Sequence, residues 1–315
     1  MIDDQPRETT RLFERRTLGR SGLEVTALGL GTAGIGGIYG DVSEDEAIAV
    51  VQGAIQAGIT YIDTSPKYLE SERRIGLALR GGLRERITLS SKTGTHPNWP
   101  GDYSSEGTRR TVEASLKTLG TDWIDLLLIH DPPNLERALA KDGALEALED
   151  LKSQGVIRAI GLGVRDQALH REAINAGRFD AVLTFLDYTP LGTSASGLLD
   201  LARYRNVGAI NGSPLAMGLL AGTNPREHFR SAMAWAGPES NWPELALAEH
   251  LWHWTRERNI SLPALALQFS LRETRFASTL VGAKNLIELE ATLAAIALRF
   301  PESIWQELET FRNAF

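Results

Sequence analysis

The 315-residue chain contains no cysteine, no long run of apolar residues and no cluster of basic residues. The absence of cysteine excludes disulfide bonds, thiolate nucleophiles and thiolate metal ligands. No apolar stretch approaches the roughly 20 residues that a membrane-spanning helix needs. The polar and acidic residues 1–10 also lack the basic start and apolar core of a signal peptide. We therefore expect a soluble, cytoplasmic protein with no membrane partner.

The net charge of −7 at pH 7 comes without the basic stripe that marks a nucleic-acid-binding surface. Short basic pairs such as Arg73 and Arg74 are typical of solvated helix faces, so we expect no nucleic-acid partner. With 43% hydrophobic and 23% charged residues, the chain is long and apolar enough to bury one large core or two smaller ones. We expect one domain over residues 1–315, with a flexible N-terminus at 1–14, as a monomer or homo-oligomer.

Short apolar runs without alternation recur along the chain, which is typical of buried parallel strands. Eight strands are predicted, near residues 28–32, 59–63, 87–92, 124–130, 157–162, 181–186, 207–211 and 278–281. Between them, a capping box from Ser43 to Glu46 opens a helix that ends before Gly58. Further helices are predicted near residues 71–80, 105–119, 143–153, 166–176, 196–203, 244–258, 263–272, 286–298 and 302–312.

Eight strand-and-helix repeats in a chain of this length favour a closed barrel. A doubly wound sheet would usually carry a Gly-rich fingerprint after its first strand, and the match between Gly29 and Gly37 is weak because no acidic residue ends a second strand at a convincing interval. Residues 16–26 predict a short hairpin that closes the barrel floor. The predicted fold is α/β, a single (β/α)₈ TIM barrel with an N-terminal β-hairpin and C-terminal closing helices.

Three polar residues, Asp63, Lys92 and His130, each stand at the last position of a predicted strand, and Tyr68 follows Asp63 by five residues. In such a barrel, functional groups gather where the strands end, because the loops there form the mouth. A carboxylate, an ammonium, an imidazole and a phenol on one rim predict proton-coupled chemistry. Each also has a structural alternative, since an Asp can cap a turn, a Lys can snorkel to the surface, and His and Tyr can pack in the core.

The chain resembles the aldo-keto reductase superfamily through motifs that occur in order along nearly its whole length. These motifs are Asp63-Thr-Ser-Pro-Lys-Tyr68, Ser91-Lys92, Leu126-Leu-Leu-Ile-His130, Ser213-Pro-Leu-Ala-Met-Gly-Leu-Leu220 and Gly282-Ala-Lys-Asn285. Within that superfamily it looks most like the aldose 1-dehydrogenases, the group of fucose and galactose dehydrogenases. Ile129-His-Asp-Pro132 and Asp187-Tyr188-Thr-Pro-Leu191 carry this closer likeness.

The resemblance implies a catalytic tetrad of Asp63, Tyr68, Lys92 and His130, with Tyr68 as the proton carrier. A free phenol has a pKa near 10, so ionising it at pH 7 costs about 4 kcal/mol. A buried ammonium such as that of Lys92 reduces this free energy, and the carboxylate of Asp63 keeps the ammonium charged. His130 would donate a hydrogen bond to the substrate oxygen. Hydride transfer itself belongs to the cofactor.

The resemblance also implies that NADP or NAD binds at the loop after the seventh strand and at the helix after the eighth, where barrels often hold phosphate. The implied cofactor residues are Gly31, Thr32, Asp63, Ser213, Pro214, Leu215, Gly218, Leu220, Gly282, Lys284, Asn285 and Glu288. Lys284 would pair with the 2′-phosphate of NADP, whereas Glu288 would repel it. Since the two could equally form a helical ion pair, the choice between NADP and NAD stays open.

The predicted substrate is a small sugar or aldehyde, and aromatic side chains in the mouth loops could stack on the carbon face of a sugar. The predicted substrate residues are Tyr39, Tyr68, Trp99, His130 and Trp235. For the aromatic residues, packing under a loop or an oligomer contact is the alternative. Residues 221–243 are too irregular for a barrel helix and are predicted to fold over the site as a lid. Leu69 stands where the resemblance implies glycine, which predicts a different loop shape.

The expected activity is oxidation of the C1 hydroxyl of an aldose to a lactone, with Tyr68 as general acid and base. Two alternatives are an NADPH-dependent reductase of aldehydes or ketones and a non-catalytic NADP-binding regulatory subunit, against which the intact tetrad argues. A metal-dependent hydrolase is disfavoured and no metal is expected, because no strand ends in a His-x-His ligand pair. The sequence leaves open the sugar, the physiological direction and the oligomeric state.

Overall fold

A closed barrel of eight parallel strands lies at the centre of the protein, in a computed structural model that describes residues 13–233 and 237–314. Each strand pairs with the next along the chain, and the last pairs with the first. All eight predicted strands and the TIM-barrel fold are confirmed. The barrel strands are β3 (Leu28–Gly31), β4 (Tyr61–Asp63), β5 (Thr88–Thr93), β8 (Ile124–His130), β9 (Ile157–Gly163), β10 (Ala181–Phe185), β11 (Gly208–Gly212) and β12 (Ser278–Gly282).

Helices surround the barrel, and the predicted ones are present with nearly the same ends. They are α1 (Ala33–Gly36), α2 (Glu44–Ala57), α3 (Ser71–Ala78), α4 (Ser105–Leu119), α5 (Glu136–Leu139), α6 (Ala144–Ser153), α7 (Gln167–Ala176), α8 (Ser196–Tyr204), α9 (Pro225–Ala232), α10 (Glu244–Glu257), α11 (Leu262–Leu271), α12 (Leu286–Ala297) and α13 (Glu302–Asn313). No helix in these ranges is long and apolar enough to cross a membrane.

The capping box predicted for α2 is formed in full. The Ser43 side chain accepts from the backbone N–H of Glu46, and the Glu46 carboxylate accepts from the backbone N–H of Ser43 at 3.1 Å. Gly58 ends the helix with a φ of 106°, a left-handed conformation that glycine adopts without steric penalty. Local signals thus fix where this helix begins and ends.

The N-terminal hairpin closes the floor of the barrel, as predicted. Strands β1 (Arg15–Thr17) and β2 (Glu24–Thr26) pair antiparallel. The side chains of Leu18 and Val25 are fully buried and belong to the same apolar cluster as the inward-facing residues of the barrel. Gly208, at the start of β11, leaves the space for Leu18, since a Cβ there would lie 2.5 Å from a Leu18 methyl. Most of the N-terminus that was predicted to be flexible lies outside the described residues.

Replacing Leu18 with alanine should lower the free energy of unfolding by about 2–5 kcal/mol, because the barrel floor cannot collapse to fill the cavity. Chemical denaturation followed by circular dichroism measures the loss. Leu298→Ala is the matched control, since that leucine is 45% exposed. Equal losses for the two variants would contradict a packed floor.

The segment over residues 221–243 is more regular than its sequence predicted. Helix α9 begins after Asn224, whose side chain accepts from two backbone N–H groups, and Pro225 occupies its first turn. Phe229 is buried in a cluster with residues of α10 and α11. The prediction of an irregular segment is therefore wrong for residues 225–232, and the lid role stays a prediction. Trp235 lies outside the described residues.

Candidate active site

The ends of three neighbouring strands bring Asp63, Lys92 and His130 to one side of the barrel mouth. Strand β4 pairs with β5, and β5 pairs with β8. Because side chains alternate along a strand, the residues two positions earlier share the same face. Two of these, Tyr61 and Leu128, lie in the cluster inside the barrel, so Asp63 and His130 also point inward.

The four residues of the predicted tetrad come together at this mouth. The Lys92 Nζ lies 2.6 Å from Asp63 Oδ2 and 4.8 Å from the centre of the Tyr68 ring. The rings of Tyr68 and His130 meet edge to face, with centroids 6.1 Å apart. Tyr68 reaches the group from the loop between β4 and α3. The arrangement places a phenol between an ammonium and an imidazole.

The ion pair of Asp63 and Lys92 is enclosed by the barrel, with 3% and 1% of each residue exposed. Asp63 Oδ1 accepts from the Ser90 hydroxyl at 2.7 Å, and that hydroxyl lies 3.0 Å from the Tyr61 phenol oxygen. Lys92 also donates to the Thr64 carbonyl at 2.7 Å. Asp63 is therefore not a turn cap, and Lys92 is not a surface residue.

Lys92 is charged and Tyr68 is protonated in the free protein at neutral pH. Burial alone would lower the pKa of Lys92, but the neighbouring Asp63 and Tyr68 outweigh it, so this pKa is raised. Burial raises the pKa of Tyr68, and the Lys92 ammonium lowers it by less, so the net shift is upward. The expected effect of the ammonium is present, but it does not exceed the effect of burial.

His130 is neutral and is oriented by two hydroxyl groups. Its Nδ1 lies 2.7 Å from Thr95 Oγ1 and 3.4 Å from Ser65 Oγ. Burial, followed by the charges of Lys92 and Lys67, holds the pKa of His130 well below its ordinary value. When the Thr95 hydroxyl donates to Nδ1, the ring proton lies on Nε2. A neutral imidazole in this tautomer can donate a hydrogen bond to a substrate oxygen but does not supply a proton.

Three inward-facing strand ends beside the tetrad are glycines, so no side chain projects from them into the mouth. Gly31, Gly163 and Gly212 each follow an inward position by two residues. A Cβ on Gly163 would approach its nearest atom only to 3.8 Å, whereas one on Gly212 would lie 3.0 Å from the Cβ of Phe185. These three glycines, called the glycine cradle below, leave this part of the mouth lined by backbone. Thr32, next to the cradle, is buried and donates its hydroxyl to the Asp63 carbonyl at 2.7 Å.

The loop after β11, predicted to hold the pyrophosphate, is a tight turn on the rim of the mouth. Its residues Ser213, Met217 and Gly218 all have left-handed backbones, with φ of 56°, 57° and 99°. The Met217 sulfur contacts the Ser213 hydroxyl at 3.4 Å and the Tyr39 hydroxyl at 3.9 Å. Leu220 is fully buried and its N–H is bonded to a carbonyl within the loop, so it supports the turn from below.

The residues predicted to face the adenosine of the cofactor lie at the start of helix α12. Asn285 caps the helix, accepting from the Glu288 N–H at 2.9 Å. Glu288 accepts from the Lys284 N–H at 2.8 Å, and its other oxygen lies 3.7 Å from Lys284 Nζ. The ion pair at helical spacing is therefore formed, although Lys284 precedes the helix, and both side chains are half-exposed where a ligand can reach them. Pro214 and Leu215 lie in the loop after β11, and Gly282, the last residue of β12, pairs with Gly31.

The predicted substrate residues differ in their exposure and in their contacts with the rest of the protein. Tyr39 is 45% exposed. Trp99 lies in the small hairpin of β6 (Thr95–His96) and β7 (Trp99–Pro100). Its ring stacks on His96 with centroids 4.3 Å apart and lies under Arg110 of α4, so it is engaged in packing. Leu69 has a φ of 49°, the left-handed conformation that glycine favours. The loop therefore takes that conformation in spite of the side chain.

The chain is similar to known proteins over nearly its whole length. A sequence model of the aldo/keto reductase family matches residues 27–313. L-galactose dehydrogenase of Arabidopsis thaliana is 33% identical over 312 residues, which cover 95% of this chain and 92% of that protein. D-threo-aldose 1-dehydrogenase of a Pseudomonas species is 31% identical, over 93% of this chain and 95% of its own. The NADH-specific methylglyoxal reductase of Escherichia coli is 30% identical, over 91% and 94%.

A solved structure from Pseudomonas aeruginosa, assigned to the aldo-keto reductases, superposes with a TM-score of 0.67 at 27% identity. The match covers 92% of this chain and 98% of the other.

Proposed function

The chain belongs to the aldo-keto reductase family of oxidoreductases, and from this premise we propose that it oxidises the C1 hydroxyl of an aldose to a lactone with NAD or NADP. One observation carries the proposal, namely the enclosed pair of Asp63 and Lys92 against the Tyr68 phenol, with neutral His130 alongside. The likeness to two sugar dehydrogenases supports an aldose as the substrate.

The proton moves between the substrate hydroxyl and Tyr68. In oxidation the Tyr68 phenolate takes the proton of the C1 hydroxyl, and Lys92 stabilises the phenolate. His130 Nε2 donates a hydrogen bond to the C1 oxygen. A bound nicotinamide would supply the hydride acceptor, held by the glycine cradle and by the loop after β11. Asp63 keeps Lys92 charged, because without a carboxylate the buried ammonium would lose its proton.

Because the pKa of Tyr68 is raised, oxidation should become faster as pH rises through the neutral and alkaline range, where the ionised fraction of the phenol increases. Reduction uses the protonated phenol and should stay constant until pH approaches the raised pKa, then fall. Profiles of kcat/KM against pH in both directions measure this. Oxidation that is independent of pH in this range would contradict the role of Tyr68 as base.

The second candidate is reduction of aldehydes by the same groups in reverse. The protonated state of Tyr68 in the free protein favours it, and so does the likeness to a methylglyoxal reductase. The complete tetrad argues against a non-catalytic regulatory subunit.

The absorbance of reduced nicotinamide distinguishes these candidates. We expect purified protein to form NADH or NADPH with L-galactose, L-fucose or D-arabinose. Pyridoxal and simple aldehydes are tested in the opposite direction. Turnover of aldehydes without any sugar oxidation would replace the first proposal by the second, and no turnover of either class would remove both.

We also propose that Glu288 disfavours NADP. Glu288→Gln removes the negative charge but keeps an oxygen that can accept from the Lys284 N–H, so helix α12 should begin unchanged. The KM for NADP should fall by about three- to tenfold while the KM for NAD stays the same, because repulsion of the 2′-phosphate is lost. Glu290→Gln, on the exposed face of the same helix, is the control. Equal changes for both cofactors would show that the helix was disturbed instead.

A further inference from the structure

Asp131, the residue directly after strand β8, has a left-handed backbone with a φ of 46°. Its N–H donates to the Gly163 carbonyl at 2.9 Å, and its own carbonyl accepts from the Tyr103 hydroxyl at 2.9 Å. A left-handed conformation costs roughly 1–2 kcal/mol for a residue with a Cβ, although Asp tolerates it better than most. Two neighbouring elements therefore hold the residue in this conformation.

This backbone directs the Asp131 carboxylate toward the tetrad. Its Oδ2 lies 3.6 Å from His130 Nε2 and 3.2 Å from Lys67 Nζ. The first distance is too long for a hydrogen bond, so the carboxylate lies beside the imidazole without binding it. The side chains of Asp131 and Lys67 are 36% and 52% exposed, so both can meet a ligand in the mouth.

The left-handed backbone suits Asn as well as Asp, so it does not by itself require a carboxylate at this position. An exposed ion pair contributes only about 0–1 kcal/mol to stability. Asp131 does not cap a helix either, since α5 begins only at Glu136. Burial is the main cause of the raised pKa of Tyr68, and the Asp131 charge adds a smaller effect in the same direction, which opposes the ionisation that oxidation requires. Strained residues at such sites commonly serve binding or catalysis.

We propose that Asp131 and Lys67 bind the hydroxyl on the carbon next to the reacting carbon, so that the preferred substrates are aldoses and other 2-hydroxy aldehydes. The reacting oxygen is held between Tyr68 and His130 Nε2, as in the proposed function on which this inference rests. In a sugar the C2 oxygen lies at hydrogen-bond distance from the C1 oxygen. Asp131 Oδ2 lies 3.6 Å from His130 Nε2, so a C2 hydroxyl beside the reacting oxygen can reach this carboxylate. The carboxylate accepts from this hydroxyl and the Lys67 ammonium donates to it.

Matched substrates that differ only in this hydroxyl test the proposal. In reduction, kcat/KM is compared for lactaldehyde and propanal, and in oxidation for L-galactose and 2-deoxy-L-galactose. Hydrogen bonds to charged groups contribute about 1.5–3 kcal/mol, so the wild type should prefer the hydroxylated partner by on the order of 10- to 100-fold. Asp131→Asn should reduce that preference to about threefold or less, mainly by raising KM for the hydroxylated substrate.

Asp142→Asn is the control, because Asp142 is an exposed aspartate with a similar left-handed φ of 58° and lies outside the tetrad. It should keep the wild-type preference. Lys67→Met should shift the preference in the same direction as Asp131→Asn. Unchanged thermal unfolding midpoints show that the variants are folded.

The possible outcomes separate this inference from the proposed function. A wild type that does not distinguish the partners, or an Asp131→Asn variant that loses kcat equally for both, would overturn the inference. Loss of lactaldehyde preference in that variant, without oxidation of any sugar, would support the inference and remove the aldose proposal. A protein that turned over neither pair would overturn both.

Discussion

Replacing Tyr68 with phenylalanine should lower kcat by about 10²–10⁴-fold in both directions, which is the usual contribution of a positioned acid or base. The variant loses only the hydroxyl, so the ring can keep its contacts with His130 and Lys92. Cofactor affinity should hardly change. Turnover is measured from the absorbance of reduced nicotinamide, and cofactor affinity from fluorescence titration.

Tyr204→Phe serves as the control for the Tyr68 variant, since that ring is 83% exposed and lies in α8, away from the tetrad. It should retain full kcat. A Tyr68→Phe protein that kept more than about a tenth of wild-type kcat would assign the proton transfer to another group, since a positioned acid or base contributes at least 10²-fold.

Replacing Lys92 with methionine should lower the free energy of unfolding by about 3–5 kcal/mol, because it leaves the Asp63 carboxylate buried without its countercharge. Activity should fall at least as far as in the Tyr68 variant, since the phenolate loses its stabilising ammonium. Chemical denaturation measures the first effect and steady-state turnover the second.

A double variant separates the two roles of this ion pair. Removing the buried charge as well, in Asp63→Asn with Lys92→Met, should recover a large part of the lost stability, because no unpaired ion remains. It should recover no activity. A double variant no more stable than Lys92→Met alone would show that the loss came from packing and not from the unpaired charge.

Much of the fold and the grouping of the tetrad could be predicted because both depend on local patterns. Apolar runs located the barrel strands. Asp63 and His130 are the last residues of their strands as predicted, whereas β5 continues one residue past Lys92. Once the strands close into a barrel, their ends must meet at one mouth. The period of two also explains why Ser90, two residues before Lys92 on the same face, reaches Asp63, although no motif marks this serine.

The remaining features depend on contacts between distant parts of the chain. Thr95 reaches His130 from the small hairpin after β5, and no pattern around it indicates this contact. The net pKa shift of Tyr68 depends on how completely the loops cover it. Helix α9 did have a local signal, Asn224 followed by Pro225, but the polar residues that follow obscure its apolar face.

The enclosure of Lys92 also explains how an amine can coexist with carbonyl compounds in one cavity. A free primary amine within reach of an aldehyde condenses with it to an imine, and that reaction needs the neutral form as nucleophile. The Lys92 nitrogen holds its proton through Asp63 and lies behind the Tyr68 ring with 1% of the residue accessible. Repeated exposure to reactive aldehydes should therefore leave this nitrogen unmodified, while adducts collect on lysines at the surface.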